Sequence, residues 1–390
     1  MGAFGAADHA EIRTCSLREL LAYFLRLGSL GFGGPIALAG HMQHDLVETR
    51  KWISPQDYRE GLALSQLSPG PLAAQLAMYL GWVRAGRLGA TLVAAAFILP
   101  SFAMVLVLSA LYVHFGGLGW IQAAFYGIGA AVIAVIARSA FKLAKMTLGR
   151  DPLLIGLFAL SAIVTGWTGQ EIVWIFLGSG FLALAVELVR SRSAGPAIAL
   201  FVPWLVEGLR GPGSGELWRI AWYFAEAGAF VFGSGLAIVP FLHGGVVERF
   251  GWLDERQFLD AVAVAMITPG PVVITVAFIG FLVAGVAGAA VSAAGVFLPP
   301  YLVVILLAPS VRRWSQDKRI KAFVNGVTAA AAGAIGGAAW ILGRRAIIDV
   351  PTAALALLTL FILVKMRKVP EPLVILAAGA VGLLLRQDGS

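Results

Sequence analysis

A chain of 390 residues that is 59% hydrophobic and 13% charged, with a mean hydropathy of +0.86, is built for lipid, because soluble domains carry about 25% charged residues. Its formal net charge of +8 is the usual sign for a membrane protein with cationic cytoplasmic loops. The basic residues are scattered through short loops, which excludes a nucleic-acid surface, and the single cysteine, Cys15, excludes a disulfide framework or a cysteine metal cluster.

Residues 1–16 are polar and small and lack the apolar core of a signal peptide, so the first hydrophobic segment is expected to be retained. Apolar runs of about 20 residues cross a bilayer. Such runs predict spans near 17–34, 57–82, 88–113, 120–141, 152–168 and 171–189. A second set is expected near 216–234, 258–283, 286–308, 322–342, 350–366 and 370–386. Between them, 191–215 is a linker marked by Pro196, Pro203 and Pro212, with a short apolar core.

The second set repeats the first 200 residues later. Tyr23-Phe24 recurs as Tyr223-Phe224, Phe32-Gly33 as Phe232-Gly233, Trp52 as Trp252 and Pro69-Gly70-Pro71 as Pro269-Gly270-Pro271. After a one-residue slip, Gly86 matches Gly285 and Leu99-Pro100 matches Leu298-Pro299. The chain therefore divides into a first membrane repeat (1–190), the linker (191–215) and a second membrane repeat (216–390).

Charge indicates how the copies face. In the first, Arg84, Arg87, Arg138, Lys142, Lys145, Arg150 and Arg190 follow the even-numbered spans. In the second, Lys318, Arg319, Lys321 and Lys365 follow the odd-numbered ones, with Arg344 and Arg345 dissenting. By the positive-inside bias the copies are upside down relative to each other, which requires an extra crossing at Ala194–Leu209. The expected fold is an all-α polytopic membrane protein of two inverted-topology repeats. Each has about six transmembrane helices with Gly/Pro-broken segments, and the N-terminus is cytoplasmic.

Ser68-Pro69-Gly70-Pro71 and Thr268-Pro269-Gly270-Pro271 interrupt apolar helical stretches. Proline removes a backbone donor and clashes with the preceding turn. Ser or Thr before Pro also suits a new helix start, with a hydroxyl N-cap and proline in the first turn, whose free N–H groups favour an anion. A packing kink is the plainer alternative. Gly31-Phe32-Gly33-Gly34-Pro35 and Phe232-Gly233-Ser234-Gly235 form a second pair, suited either to cradling an oxyanion with backbone amides or to close helix packing. Paired broken helices in two halves point to a transport site.

Within the first span, Arg26 aligns with Glu226. A charge at membrane depth faces a partner or a cavity, so Arg26 could hold an oxyanion or pair with Glu226, and Glu226 could serve coupling. Both could instead snorkel to the interface. Gln66, Gln75, Thr275 and Asn325 near the breaks could donate to an anion or bond helix carbonyls. Lys142 and Lys145 read as topological charges. His41, His44 and His243 lack metal-ligand spacing, and no nucleophile–base set is visible, which argues against an intramembrane enzyme and against a metal or other cofactor.

The Phe-Gly-Gly-Pro turn at 32–35, the duplicated Pro-Gly-Pro break, Gln66-Leu67-Ser68-Pro69-Gly70-Pro71 and Trp52 before the second span resemble the chromate ion transporter family in its long, two-domain form. The second copy departs at Ser234-Gly235, where the first has Gly34-Pro35. The resemblance implies a bacterial or archaeal inner-membrane exporter of chromate that confers chromate resistance. Its partners would be the lipid bilayer and chromate or a sulfate-like oxyanion, and a homodimer stays open. The expected site joins Gly33, Gly34, Gly233 and Ser234 to the breaks at Ser68, Gly70, Thr268 and Gly270, with Arg26 supplying charge. Sulfate or other oxyanion uptake or exchange is the rival function, and a non-transporting scaffold a weaker one.

Overall fold

The computed structural model describes residues 13–32, 34–115, 119–168, 173–191, 215–230, 235, 238–311, 317–366 and 369–386. Gly33, Gly233, Ser234 and the expected crossing at 194–209 lie outside these residues. The fold is all-α, and the two copies correspond element by element. The first contains α1 (Leu17–Leu30), α2 (Gly34–Met42) with a π turn (Gln43–Thr49), α3 (Pro55–Leu67), α4 (Leu72–Phe115), α5 (Gly119–Leu148), α6 (Pro152–Thr168) and α7 (Val173–Ser191). The second contains α8 (Glu216–Phe230), α9 (Ile238–Leu242) with a π turn (His243–Arg249), α10 (Glu255–Ile267), α11 (Thr275–Leu307), α12 (Lys318–Ala346), α13 (Val350–Lys365) and α14 (Glu371–Arg386).

Local chemistry fixes the starts. Ser16 and Glu19 form a capping box on α1, and Asp254 with Gln257 does the same on α10. Ser54 caps α3, whose first residue is Pro55. Inside α4, Ala85 and Gly86 leave helical geometry, and Ala284 and Gly285 do so in α11. At φ +57° and +60° the two glycines reverse the chain. The limbs on either side fold together so tightly that a Cβ on Gly89 would lie 2.1 Å from the Gly81 carbonyl oxygen. Ser292 Oγ closes the second reversal by donating to Val276 O at 2.7 Å.

The Pro-Gly-Pro breaks also reverse the chain. Tyr79 in α4 reaches back to Glu60 in α3 at 3.3 Å, and a Cβ on Gly61 would meet the Tyr79 ring. The segments flanking the first break therefore lie antiparallel. At 13 residues, α3 is about 20 Å long, too short for a hydrocarbon core of about 30 Å. The chain turns in the same way between α1 and α2, where Arg13 N donates to Lys51 O at 2.9 Å. Between α8 and α9 the matching tie is Tyr223 OH to Phe241 O at 2.7 Å.

These hairpins correct the expected spans. The segments 57–82 and 258–283 each join two half-length helices across a reversal, and α1, with 14 residues, reaches about 21 Å. Among the described residues four helical stretches are long and apolar enough to cross a membrane, namely Leu72–Phe115, Gly119–Leu148, Val272–Ser310 and Lys318–Ala346. Pro152–Thr168, Val350–Lys365 and Glu371–Leu385 are shorter apolar helices. Two full sets of six spans are not what the chain forms.

The copies are interlaced. α1 packs on α4 and α8 on α11, while α4 packs on α11 and α5 on α12. The last two helices of each copy cross to the other: α6 and α7 pack on α12, and α13 and α14 on α5. Glycines permit these approaches, as expected where helices associate through close packing. A Cβ on Gly127 of α5 would lie 2.0 Å from Ala378 O, and one on Gly333 of α12 would lie 2.2 Å from Phe158 O. Gly129, two residues from Gly127, faces open space. Gly127→Ala is therefore expected to cost about 1–3 kcal/mol through forced backbone separation, and Gly129→Ala to cost little. Thermal unfolding of the two variants in detergent checks this, and equal melting temperatures would contradict the interlaced packing.

Candidate functional site

Four hairpin tips converge at the centre of the molecule. Gly270 N donates to Gly31 O at 2.8 Å, joining the α10–α11 tip to the α1–α2 tip. Gly235, from the α8–α9 tip, lies against Pro35. The α3–α4 tip meets α11, since a Cβ on Gly70 would fall 2.5 Å from Pro300 Cβ. The matching approach brings Gly270 against Ser101 of α4, where a Cβ would lie 1.9 Å from Oγ. Only glycine fits at these two crossings.

The break hydroxyls work differently from expectation. Ser68 Oγ donates to Leu64 O at 2.7 Å, and Thr268 Oγ1 to Val264 O at 3.0 Å. Each closes the helix before the break, as its C-cap, instead of capping the helix after it. Their prolines lack N–H groups, so the carbonyl side of each break is the one that needs partners. Gln75 supplies these in the first copy, donating through Nε2 to Ser68 Oγ (3.0 Å) and Pro69 O (2.7 Å). Its Oε1 is buried without a hydrogen bond among the described residues. In the second copy Thr275 Oγ1 donates to Val272 O at 2.9 Å.

Below the tips lies a cavity of about 1000 Å³. Of the residues singled out from sequence, Gly34, Pro35, Gln66, Thr268, Gly270 and Asn325 line it. Ser68, Gly70, Gln75 and Thr275 are buried behind its wall. Four cations face the cavity, Arg59 from α3, Arg138 and Lys142 from α5 and Lys321 from α12, against two acids, Glu60 and Glu371. Arg138 and Glu371 bond at 2.7 Å, while Glu60 accepts from Gln56 at 3.0 Å. Arg59, Lys142 and Lys321 enter no ion pair among the described residues. The cavity is therefore electropositive.

Sequence reasoning passed over these cations because Lys142 looks like a loop charge and Lys321 lies far away in the chain. The available signal was Arg138 and Lys142 standing four apart on one helix face. Arg26 is exposed and lines a separate cleft of about 700 Å³ with Tyr23, His41, Asp45 and Arg50. Glu226 is half-buried on α8, and no ion pair joins it to Arg26.

The dissenting arginines acquire a reason. Glu255 binds both Arg345 and His243, the latter at 2.9 Å, and Glu248 lies 3.7 Å from His243. Arg345 is therefore partly neutralised where it stands. Among the described residues no group of His, Cys, Asp and Glu could hold a metal ion.

The chromate transporter family profile matches residues 18–184 and again 218–383, once for each copy. The chain belongs to this family. The chromate transport protein of Cupriavidus metallidurans is 54% identical over 375 residues, covering 95% of this chain and 94% of the relative. The probable chromate transport protein of Synechococcus elongatus is 52% identical over 382 residues, at 95% of each chain. That of Pseudomonas aeruginosa is 31% identical over 392 residues, at 95% and 92%. No solved structure matches the chain. As a member of the chromate transporter family, the protein is a multi-pass secondary transporter and not an enzyme.

Gln75→Leu should cost about 1–3 kcal/mol, because two buried hydrogen bonds at the first break are lost together. Loss of several degrees in melting temperature in detergent is the expected result. An unchanged value would mean that Gln75 does not hold the break.

Proposed function

We propose that this chain exports chromate, by alternating access between two inverted repeats, through the cavity at the hairpin tips. The observation that carries the reading is the excess of positive charge in that cavity, delivered to paired backbone reversals at membrane depth. An anion is drawn in by Arg59, Lys142 and Lys321 and reaches Gly34, Gln66, Thr268 and Asn325 at the closed end. Gly33, Gly233 and Ser234, which lie outside the described residues, are proposed to join the same tips on the sequence pattern alone. Gly70 and Pro69, Pro71, Pro269 and Pro271 shape them, while Ser68, Gln75 and Thr275 stabilise them from behind. Arg26 stands in its own cleft and is assigned no part in this site.

Inversion is supported by the contact between Thr91 and Tyr301, whose hydroxyls lie 2.7 Å apart. Thr91 begins the second limb of α4 and Tyr301 nears the end of α11, so equivalent limbs run in opposite directions. With the hairpins excluded, each copy has four crossing segments: the second limb of α4 or α11 and the three helices after it. An even count returns the chain to its starting side. Inverted copies therefore need the linker, at 194–209, to cross once.

Lys142 and Lys321 line the cavity, near Lys145, Arg150 and Lys318 in the chain, and we place its mouth at their end. By the positive-inside bias it is the cytoplasmic mouth, which puts the N-terminus inside and the C-terminus outside, in the inner membrane of a bacterium or archaeon. Outward movement of a dianion is electrically downhill by about 2.3 kcal/mol per charge per 100 mV. Sulfate has the same charge and shape, and the cavity offers no evident means of refusing it.

Two experiments test the reading. Radiolabelled chromate should accumulate in inverted membrane vesicles when a membrane potential is imposed, and excess sulfate should slow it by competing for the same cavity. Replacing Pro69-Gly70-Pro71 with three alanines should abolish this flux while the protein still inserts; unaltered flux would remove the tips from the mechanism. The double variant Lys142→Gln, Lys321→Gln should lower the rate at limiting chromate about tenfold and flatten its dependence on salt. The Lys142→Arg, Lys321→Arg pair should retain both, and sulfate moving in place of chromate would replace the substrate but leave the site.

A further inference from the structure

Away from the residues that line the cavity, a buried acid of the second copy meets a phenol of the first. Asp260 in α10 is 5% exposed, and Tyr112, near the end of α4, donates its hydroxyl to Asp260 Oδ2 at 2.7 Å. Phe125 of α5 and Phe278 of α11 close edge-on around the Tyr112 ring, at 5.7 and 5.2 Å. The duplication makes the arrangement informative. Asp260 corresponds to Glu60, which lines the open cavity. Glu60 takes its phenol from Tyr79 of its own hairpin, at 3.3 Å. Across the repeat, the position of Tyr112 is occupied by Val311. At Asp260, therefore, a phenol from one copy clamps the acidic hairpin of the other.

We propose that Tyr112 and Asp260 form the outer gate, and that Asp260 is a proton-binding site whose occupancy holds this gate closed. A carboxylate buried to this degree is costly when ionised, even with one hydrogen bond. Closing the gate strips water from Asp260 and favours its neutral form, whereas opening rehydrates it and favours release of the proton to the outside. Protonation then stabilises the closed gate, and rising external pH weakens it.

The surroundings supply little charge to offset this. On its own helix Arg256 and Asp254 act on Asp260 with opposite sign. The preceding π turn contributes His243 and Glu248, of which His243 is engaged by Glu255. From α4 comes Tyr112, and α5 and α11 present Phe125 and Phe278. The 3-10 turn Val272–Ile274 is wholly apolar, and α14, which also packs on α10, has no ionisable residue between Glu371 and Arg386.

The inference rests on α10 being a moving gate, and its test needs no flux. In a Cys15→Ala background, Val264→Cys places a thiol one turn below Asp260, at a position 4% exposed. Intact cells are treated with a membrane-impermeant thiol reagent between pH 5.5 and 8.5. Each rate is divided by that of Val350→Cys, 81% exposed, which corrects for the pH dependence of labelling an accessible thiol. Outside labelling of Val264→Cys is expected to rise several-fold across this range. Adding Asp260→Asn, which mimics the neutral acid, should hold it low and level. Adding Tyr112→Phe should raise it at the acid end. A pH response that survives in Asp260→Asn, or labelling equally slow in all three proteins, would overturn the proposal. Lost chromate flux with the labelling pattern intact would count against the transport reading alone.

Discussion

A backbone amide or carbonyl left unpaired in lipid costs several kcal/mol, and this constraint organises the molecule. The chain breaks its helices at the centre of an apolar body, at Ser68–Pro71, Thr268–Pro271 and the two glycine turns. Each break must then be covered by protein or face a cavity. The cover is reciprocal: Gly270 N is satisfied by Gly31 O, the Pro69 carbonyl by Gln75, and the Gly28 carbonyl by Ser101 Oγ at 3.1 Å. Hairpins unable to cross the membrane separately become stable because their tips rest on one another and on the limbs of α4 and α11. The space left beneath them is the cavity.

Electrostatics then separates the two ends of the pathway. Three cations that enter no ion pair among the described residues line the cavity, while at the proposed gate a phenol meets a carboxyl. The two copies share an ancestry and have diverged in their chemistry. Glu60 and Asp260 keep an acid in the same place, but the phenol that meets it comes from within the hairpin at one mouth and from the other copy at the second. A symmetric pair of mouths has thereby acquired a preferred state.

Part of the architecture was legible in the sequence. The 200-residue repeat and the paired breaks predict two corresponding sets of helices with central reversals, as the fold has, while the opposed orientation that the swap of charged loops predicts belongs to the proposed topology. What could not be read was whether a proline break bends a span or turns it back. Residues 57–82 are long enough to cross, and the distinction depends on Glu60 meeting Tyr79, a contact no periodicity encodes. The site was visible only in outline. Gly34, Gln66, Thr268 and Gly270 line the cavity, whereas Lys142 and Lys321 are brought together by the crossing of α5 and α12. Arg26 lines a separate cleft, since depth in an apolar segment does not specify which side of a helix faces the cavity.

The interlacing of the copies bears on how the chain is made. α5 is synthesised more than 200 residues before α13 and α14, the helices that will cover it. Until they insert, its glycine-rich face at Gly127 has only lipid for a neighbour. The first half therefore waits in the bilayer as an unfinished structure, and its completion depends on α13 and α14. A truncation near the C-terminus accordingly damages the first copy, far from it in sequence, as directly as it damages the second.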